Sequence, residues 1–156
     1  MSDLLEWVER AAIESLRTHH ATADILAKES ATTLTVLLAG MAGAFAYSAK
    51  AVEANSWGWF SISAVVFAAY IGLLCLWLVL GCLKIKDIPA IYNEPKNLLS
   101  AGVTFTELRR YELENMQKRI DDAIARNNSV ATTLNRIRLA AVLSPLVFGV
   151  TSFVVA

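Results

Sequence analysis

The sequence has few charged residues, and three long stretches of it contain none. Only 18% of its 156 residues are Asp, Glu, Lys or Arg, whereas about 25% is usual in a soluble domain. Charged residues are absent from 30–49, from 54–83 and from 139–156. A helix rises about 1.5 Å per residue, so about 20 apolar residues cross a hydrocarbon core about 30 Å thick. The sequence therefore predicts three transmembrane helices, at residues 29–50, 57–83 and 138–156.

Cysteine and proline are also scarce, with two and three residues respectively. Cys75 and Cys82 lie seven residues apart in the second charge-free stretch. They cannot pair along one helix, and we interpret them as small apolar residues rather than redox or metal groups. Pro145 lies inside the third stretch, where it should kink the helix and free a carbonyl that neighbouring helices must satisfy.

Lys and Arg are distributed unequally over the segments that flank the predicted spans. Three precede the first span, one (Lys50) separates the first span from the second, and ten lie between the second and the third. Short loops rich in Lys and Arg stay in the cytoplasm. The N-terminus is therefore expected inside, and the turn 51–56 and the C-terminus outside. Trp57, Trp59 and Phe60 begin the second span, where aromatic side chains anchor a helix at the headgroups.

Two polar segments remain, and both have helical periodicity. Residues 1–28 predict an amphipathic helix with no breaker before the first span, and residues 84–103 predict a connecting loop. Thr104 and Glu107 match a capping box, which predicts a long amphipathic helix over 104–137. The predicted fold is an all-α integral membrane protein with three transmembrane helices and a cytoplasmic helical hairpin or coiled-coil-like stalk.

The predicted helix over 104–137 has a narrow apolar seam. Apolar residues recur at steps of three and four, as in a heptad repeat: Leu113, Met116, Ile120, Ala123, Val130, Leu134 and Ile137. The partner of this seam is either the N-terminal helix of the same chain or the same helix of another subunit. Asn127 is the one polar residue of the seam. It either fixes register and subunit number or marks a local weakness of the helix, and the sequence does not separate the two.

Two further sets of residues are candidate sites. His20, Asp24 and Lys28 lie at successive four-residue steps, which indicates either a surface charge ladder or a proton- or ligand-responsive cluster. In the first span, small residues recur four apart, among them Gly40 and Gly43, and such faces let helices pack closely in lipid. The three charge-free stretches, 30–49, 54–83 and 139–156, also lack histidine, and the absence of acids and bases from them argues against a coupled pump.

Motifs of catalysis are absent from the sequence. It has no glycine-rich phosphate loop, no metal-spaced His or Cys set and no nucleophile elbow. The acids of the long helix balance its cations, which argues against nucleic-acid binding. We therefore expect a protein that is not an enzyme and binds no cofactor or metal.

The order of the segments resembles a known family. A helix with Ala23-Asp24 and Lys28 leads into two spans, and a long helix with Asn128-Ser129-Val130-Ala131 and the stretch from Leu134 to Ala140 leads into a last one. This layout resembles the small transmembrane effectors of bacterial anti-phage defence, in particular the Pycsar-type family and, less closely, the two-span SLATT-like effectors associated with nucleotide-second-messenger operons. The family usually has a lysine where this chain has Arg136 or Arg138.

The resemblance implies a homo-oligomer in the bacterial inner membrane that disrupts the bilayer and halts infected cells. It leaves a nucleotide second messenger and a partner defence protein open as triggers. Two other hypotheses are a structural or accessory subunit of a larger membrane complex, bound through the long helix, and a small ion channel.

Overall fold

The structure is a computed structural model that describes residues 2–84, 90–91, 93–94, 102 and 104–155. Over these residues it is helical. The helices are α1 (Ser2–Glu53), α2 (Trp59–Leu78), a π-helical turn (Val79–Leu83), α3 (Phe105–Val142) and α4 (Ser144–Val155). The predicted N-terminal helix and first span thus form one continuous helix.

Two compact units divide the chain, and each contains part of α1 and part of α3. Unit 1 comprises Met1–Leu26 and Ile85–Ser129, and unit 2 comprises Ala27–Lys84 and Val130–Ala156. The sequence predicts a boundary between 137 and 138, whereas the two units part within α3 after Ser129. Periodicity could not show this, because the seam continues unbroken through that point.

Local hydrogen bonds determine where α1 ends and where α3 begins. Asn55 has a φ of 50°, and the N–H groups of Asn55 and Ser56 donate to the carbonyls of Val52 and Ala51. These bonds form a Schellman motif, which ends α1. At the start of α3, Thr104 N–H donates to Glu107 Oε2 over 3.0 Å, and Glu107 N–H donates to Thr104 Oγ1 over 3.4 Å. This is the capping box that the sequence pattern predicts.

The break between α3 and α4 lies beside Pro145. The predicted last span, 138–156, is bent: α3 continues to Val142, and the two helices meet at an angle of 40°. Tyr70 of α2 donates its hydroxyl proton to the carbonyl of Ala140 over 3.0 Å, in the turn before the break. Thus α2 satisfies part of the backbone next to the kink, as the presence of proline in a span requires.

The end of α2 approaches α3 closely at Gly81. A Cβ at this position would lie 2.8 Å from Cγ2 of Thr133, which is closer than side-chain atoms pack. The same segment is π-helical, and such turns occur as local insertions in α-helices. Nearby, the thiol of Cys82 lies 3.8 Å from the carbonyl oxygen of Val130.

Unit 2 is apolar on its outside. Large hydrophobic side chains are exposed along all of its helices, among them Val36, Phe45, Leu73, Leu80, Leu146 and Phe153. Its buried residues include serines: Ser30, Ser48, Ser61, Ser63 and Ser144. The hydroxyls of Thr32, Thr33 and Thr35 donate to carbonyls four residues earlier in α1. A soluble protein rarely exposes so much contiguous apolar surface, whereas this arrangement suits lipid.

Among the described residues, two helices are long and apolar enough to cross a membrane. They are α1 and α2 with its π-helical turn, Trp59–Leu83. The bent pair of α3 and α4 meets the same test only when it is taken as one span, since the 12 residues of α4 extend only about 18 Å. The described part of the chain therefore contains two such helices, or three if the bent pair is one span.

Candidate functional site

The seam of α3 is buried within the chain. Met116, Ile120, Asn127 and Leu134 are all at least 93% buried, and Leu113 is half-buried. In unit 1, Ile120 and Ala123 form a core with Leu16 of α1. For this part of the seam, the structure therefore contains the first of the two partners that the sequence left open, the N-terminal helix of the same chain.

Asn127 makes a specific contact across unit 1. Its Nδ2 group donates to the backbone carbonyl of His19 over 2.8 Å. The order of contacts is the same along both helices, since Glu9 meets Arg109 and Leu16 meets Ile120. The two segments therefore run parallel in unit 1, whereas a hairpin would be antiparallel. The hydrogen bond fixes their register, because a shift of one residue would turn Asn127 away from this carbonyl.

The three residues of the predicted responsive cluster lie in different environments. Asp24 and Lys28 are exposed, and no hydrogen bond or ion pair joins either of them to His20 in the described part of the chain. His20 is half-buried, and its Nε2 atom is buried without a hydrogen-bond partner. The structure thus separates the imidazole from the charge ladder.

A cleft of about 390 Å³ lies between α1 and the start of α3 in unit 1. Apolar side chains of Ile13, Leu108 and Met116 line part of it. Charged groups line the rest, and each is paired. The Arg109 guanidinium donates to Glu9 Oε2 over 2.6 Å, and it lies 5.7 Å from the centre of the Phe105 ring.

A second ion pair at the cleft is more deeply placed. Glu112 accepts from Arg119 at one carboxylate oxygen, and from Asn93 Nδ2 at the other over 3.1 Å. Arg119 also donates to the carbonyls of Ala90 and Ile91 over 3.0 and 3.3 Å. The side chains of this pair are 16% and 19% exposed. Arg119 and Glu112 therefore hold Ala90, Ile91 and Asn93 against α3.

Gly40 and Gly43 lie on an open groove in unit 2. The groove has a volume of about 450 Å³ and is lined mainly by apolar side chains of α1, α2 and α4, including Phe60 and Phe148. A Cβ added at either glycine would meet nothing within 4 Å. At these two glycines, the small-residue face of α1 is therefore not in close contact with another of the described helices.

Aromatic rings form one side of this groove. Phe60 meets Tyr47 and Phe148 edge to face, with ring centres 5.0 and 5.1 Å apart. Phe60 also contacts Trp59 at 5.5 Å. Each such pair contributes about 0.5–1.5 kcal/mol beyond area burial, so the start of α2 is fixed to α1 and α4 on this side.

An ion pair lies at the edge of the first charge-free stretch. Arg138 of α3 donates to the carboxylate of Glu29 and, over 3.1 Å, to the hydroxyl of Thr33. These residues lie next to the predicted limits of two spans. The pairing neutralises two charges at the place where the apolar surface begins.

Sequence reasoning missed two ion pairs of unit 1, one within α3 and one between α1 and α3. Glu112 and Arg119 are seven residues apart, a spacing that places them on one helix face and that could have been noticed. Glu9 and Arg109 are 100 residues apart, and their pairing depends on the register of α1 against α3. No periodicity within one helix contains that register.

The fold defines a class: an all-helical protein with two or three helices able to cross a membrane. Among the described residues, no group of three or more His, Cys, Asp or Glu side chains could hold a metal ion. Comparisons with protein-family models, with curated protein sequences and with solved structures find no match to this chain.

Proposed function

We propose that this chain is a membrane-embedded effector of bacterial anti-phage defence, which assembles through its first span and perturbs the inner membrane. In this proposal the bent pair of α3 and α4 is the third span, unit 1 lies in the cytoplasm and the C-terminus lies outside. The distribution of Lys and Arg supports this orientation.

The observation that carries the proposal is the open face at Gly40 and Gly43. In lipid, helices associate through close packing of small residues rather than through the hydrophobic effect. Because no atom of another described helix lies within 4 Å of a Cβ built at either glycine, this face is available to another subunit. The α3 seam is a poorer assembly surface, since Ile120 and Asn127 are buried within the chain.

The test is expression of the gene with its neighbours in bacteria under phage challenge, with membrane potential and subunit number measured together. We expect depolarisation and a homo-oligomer in mild detergent. The variant Gly40→Leu/Gly43→Leu should lose both. Gly149→Leu is the matched control, because Gly149 also faces open space but lies outside the groove. Unchanged potential and survival with the wild-type chain would rule out the effector role.

A second function is supported by a different surface. Unit 1 exposes the large apolar side chains of Leu4, Trp7, Phe105 and Tyr111, outside the charge-free stretches. An accessory subunit would bury such residues against a larger complex. Extraction in mild detergent separates the two functions: a single foreign partner in fixed ratio favours the accessory subunit. Bilayer recording of a purified homo-oligomer tests the ion-channel alternative, for which selective and reversible conductance is required.

A further inference from the structure

The cleft of unit 1 has an unusual balance of charge. Among the residues that the structure describes, its lining contains two carboxylates, Glu9 and Glu112, and one guanidinium, Arg109. Both oxygens of Glu112 already accept hydrogen bonds, from Arg119 and Asn93. Hydrogen-bonding capacity therefore remains mainly at Glu9 and Arg109.

These two side chains offer a ligand one hydrogen-bond acceptor, on Glu9, next to several hydrogen-bond donors, on Arg109. Glu9 uses Oε2 for Arg109, which leaves Oε1 without a protein donor in the described part of the chain. A guanidinium has five N–H groups, and in the same described part Arg109 donates one hydrogen bond, to Glu9. The side chains of Arg109 and Glu9 are 22% and 38% exposed, so both remain within reach of a ligand.

Charge decides which ligand fits. An anion bound at Arg109 would lie near the carboxylates of Glu9 and Glu112, and a cation bound at Glu9 would lie near Arg109. In either case the ligand would be repelled by a neighbouring group of the same charge, which opposes binding. A neutral group with one acceptor and one donor complements both side chains at once, and the peptide group has this pattern. The adjoining surface of Ile13, Leu108 and Met116 suits an apolar side chain.

We propose that this cleft binds an uncharged, apolar residue of a partner polypeptide. Arg109 donates to the carbonyl of the bound residue, Glu9 accepts from its N–H group, and its side chain occupies the apolar surface against Met116. The proposal does not depend on the membrane-perturbing role, because all of the residues lie in unit 1 and binding is measured without activity.

Three leucine derivatives of different charge, with the same side chain, provide the test. They are N-acetyl-leucinamide (neutral), N-acetyl-leucine (an anion) and leucinamide (a cation). The full chain in detergent, labelled with 13C at the methionine methyl groups, reports binding at Met116, and Met41 in unit 2 serves as an internal control. We expect the neutral compound to shift the Met116 signal, with an affinity at least about tenfold above both charged ones, since a hydrogen bond to a charged group contributes about that factor.

A pair of arginine variants identifies the donor. Arg109→Gln should lower the affinity for N-acetyl-leucinamide about tenfold, whereas Arg110→Gln should leave it unchanged, because Arg110 is 80% exposed and outside the cleft. Equal affinity for the three compounds, a Met41 shift as large as that of Met116, or equal loss in both variants would overturn the proposal. If Arg109→Gln does not fold, the comparison of the three compounds on the wild-type chain still decides.

Discussion

Asn127 is the polar residue of an otherwise apolar seam, and its environment explains why it can be there. Its side chain is only 6% exposed, so it would be costly without a partner. The carbonyl of His19 provides that partner. In coiled coils, a single buried asparagine of this kind specifies alignment at some cost in stability.

Removing this amide should destabilise unit 1. We expect Asn127→Ala to lower the free energy of unfolding by about 1–3 kcal/mol, because a buried hydrogen bond and buried volume are both lost. Asn128→Ala is the matched control, since Asn128 is exposed, and it should change stability by less than about 0.5 kcal/mol. Denaturant titration in detergent measures both. Equal effects of the two variants would show that the bond to His19 contributes nothing.

Gly81 is needed where α2 meets α3. The β-branched Thr133 side chain has little freedom to move away, so Gly81→Ala should destabilise the protein by about 1–3 kcal/mol through overpacking. Gly72→Ala is the control, because its Cβ would lie an ordinary 3.6 Å from Met41 Sδ. Thr133→Ala should restore stability in the Gly81→Ala background. Failure of this rescue would locate the cost elsewhere.

Among the helices, α3 has the clearest terminal signal. The Thr104 hydroxyl donates to the Glu107 carboxylate over 2.7 Å. This bond, together with the one from the Thr104 backbone N–H, lowers the pKa of Glu107. A carboxyl whose pKa is lower in the folded state stabilises the fold above its ordinary pKa, and this contribution is lost as the pH falls through the lowered value.

The first turn of α3 should therefore loosen in acid. Amide exchange at Glu107 and Leu108, whose N–H groups donate to Thr104, is expected to be protected at neutral pH, after correction for the intrinsic rate, and to lose protection below about pH 4. Thr104→Ala should remove most of this pH dependence, because it deletes the hydroxyl that favours the ionised carboxylate. Protection that stays constant between pH 7 and pH 3 in the wild-type chain would contradict the assignment.

How far sequence predicts structure differs between these elements. The start of α3 was predictable, because the capping box at Thr104 and Glu107 is contained in four consecutive residues. The inward side of α3 was also predictable, because a helical period assigns residues such as Ile120 and Leu134 to one face. The end of α3 was not, since Pro145 only indicates a kink and the position of the break depends on contacts such as that of Tyr70 with Ala140.

The candidate sites show the same limit. The sequence identified Asn127 as unusual but could not supply His19 as its partner, because the register between helices about 100 residues apart is a property of their packing. His20, Asp24 and Lys28 have the spacing of a cluster, yet only the structure shows that the imidazole faces inward. The cleft beside Arg109 could not be foreseen, since it requires α1, α3 and Asn93 together.

At the scale of the whole molecule, the proposed orientation predicts which residues are accessible from each side of the membrane. In a background without Cys75 and Cys82, single cysteines can replace exposed residues: Ser56 between α1 and α2, and Ser129 in α3. A maleimide that cannot cross membranes should label Ser56→Cys in spheroplasts, and Ser129→Cys only after permeabilisation. Labelling of Ser129→Cys in sealed spheroplasts would reverse the proposed orientation.

A third cysteine counts the spans. Ala156→Cys should be labelled from outside if the bent pair of α3 and α4 crosses the membrane. It should be protected if only α1 and α2 cross, because two spans return the chain to the side of its N-terminus. The two variants are labelled with the same reagent in the same kind of cells, so labelling of Ser56→Cys is the standard against which labelling of Ala156→Cys is compared.

The buried seam has one more consequence, which concerns pieces of the chain rather than the whole. A peptide of residues 105–129 would display the apolar side chains that α1 normally shields, with Ile120 and Ala123 bare to water. Such a peptide should self-associate in water. It should also compete with α3 for binding to α1 while new chains are being synthesised. Supplied in excess inside the cell, the peptide would bind α1 of newly made chains and prevent their own α3 from packing there.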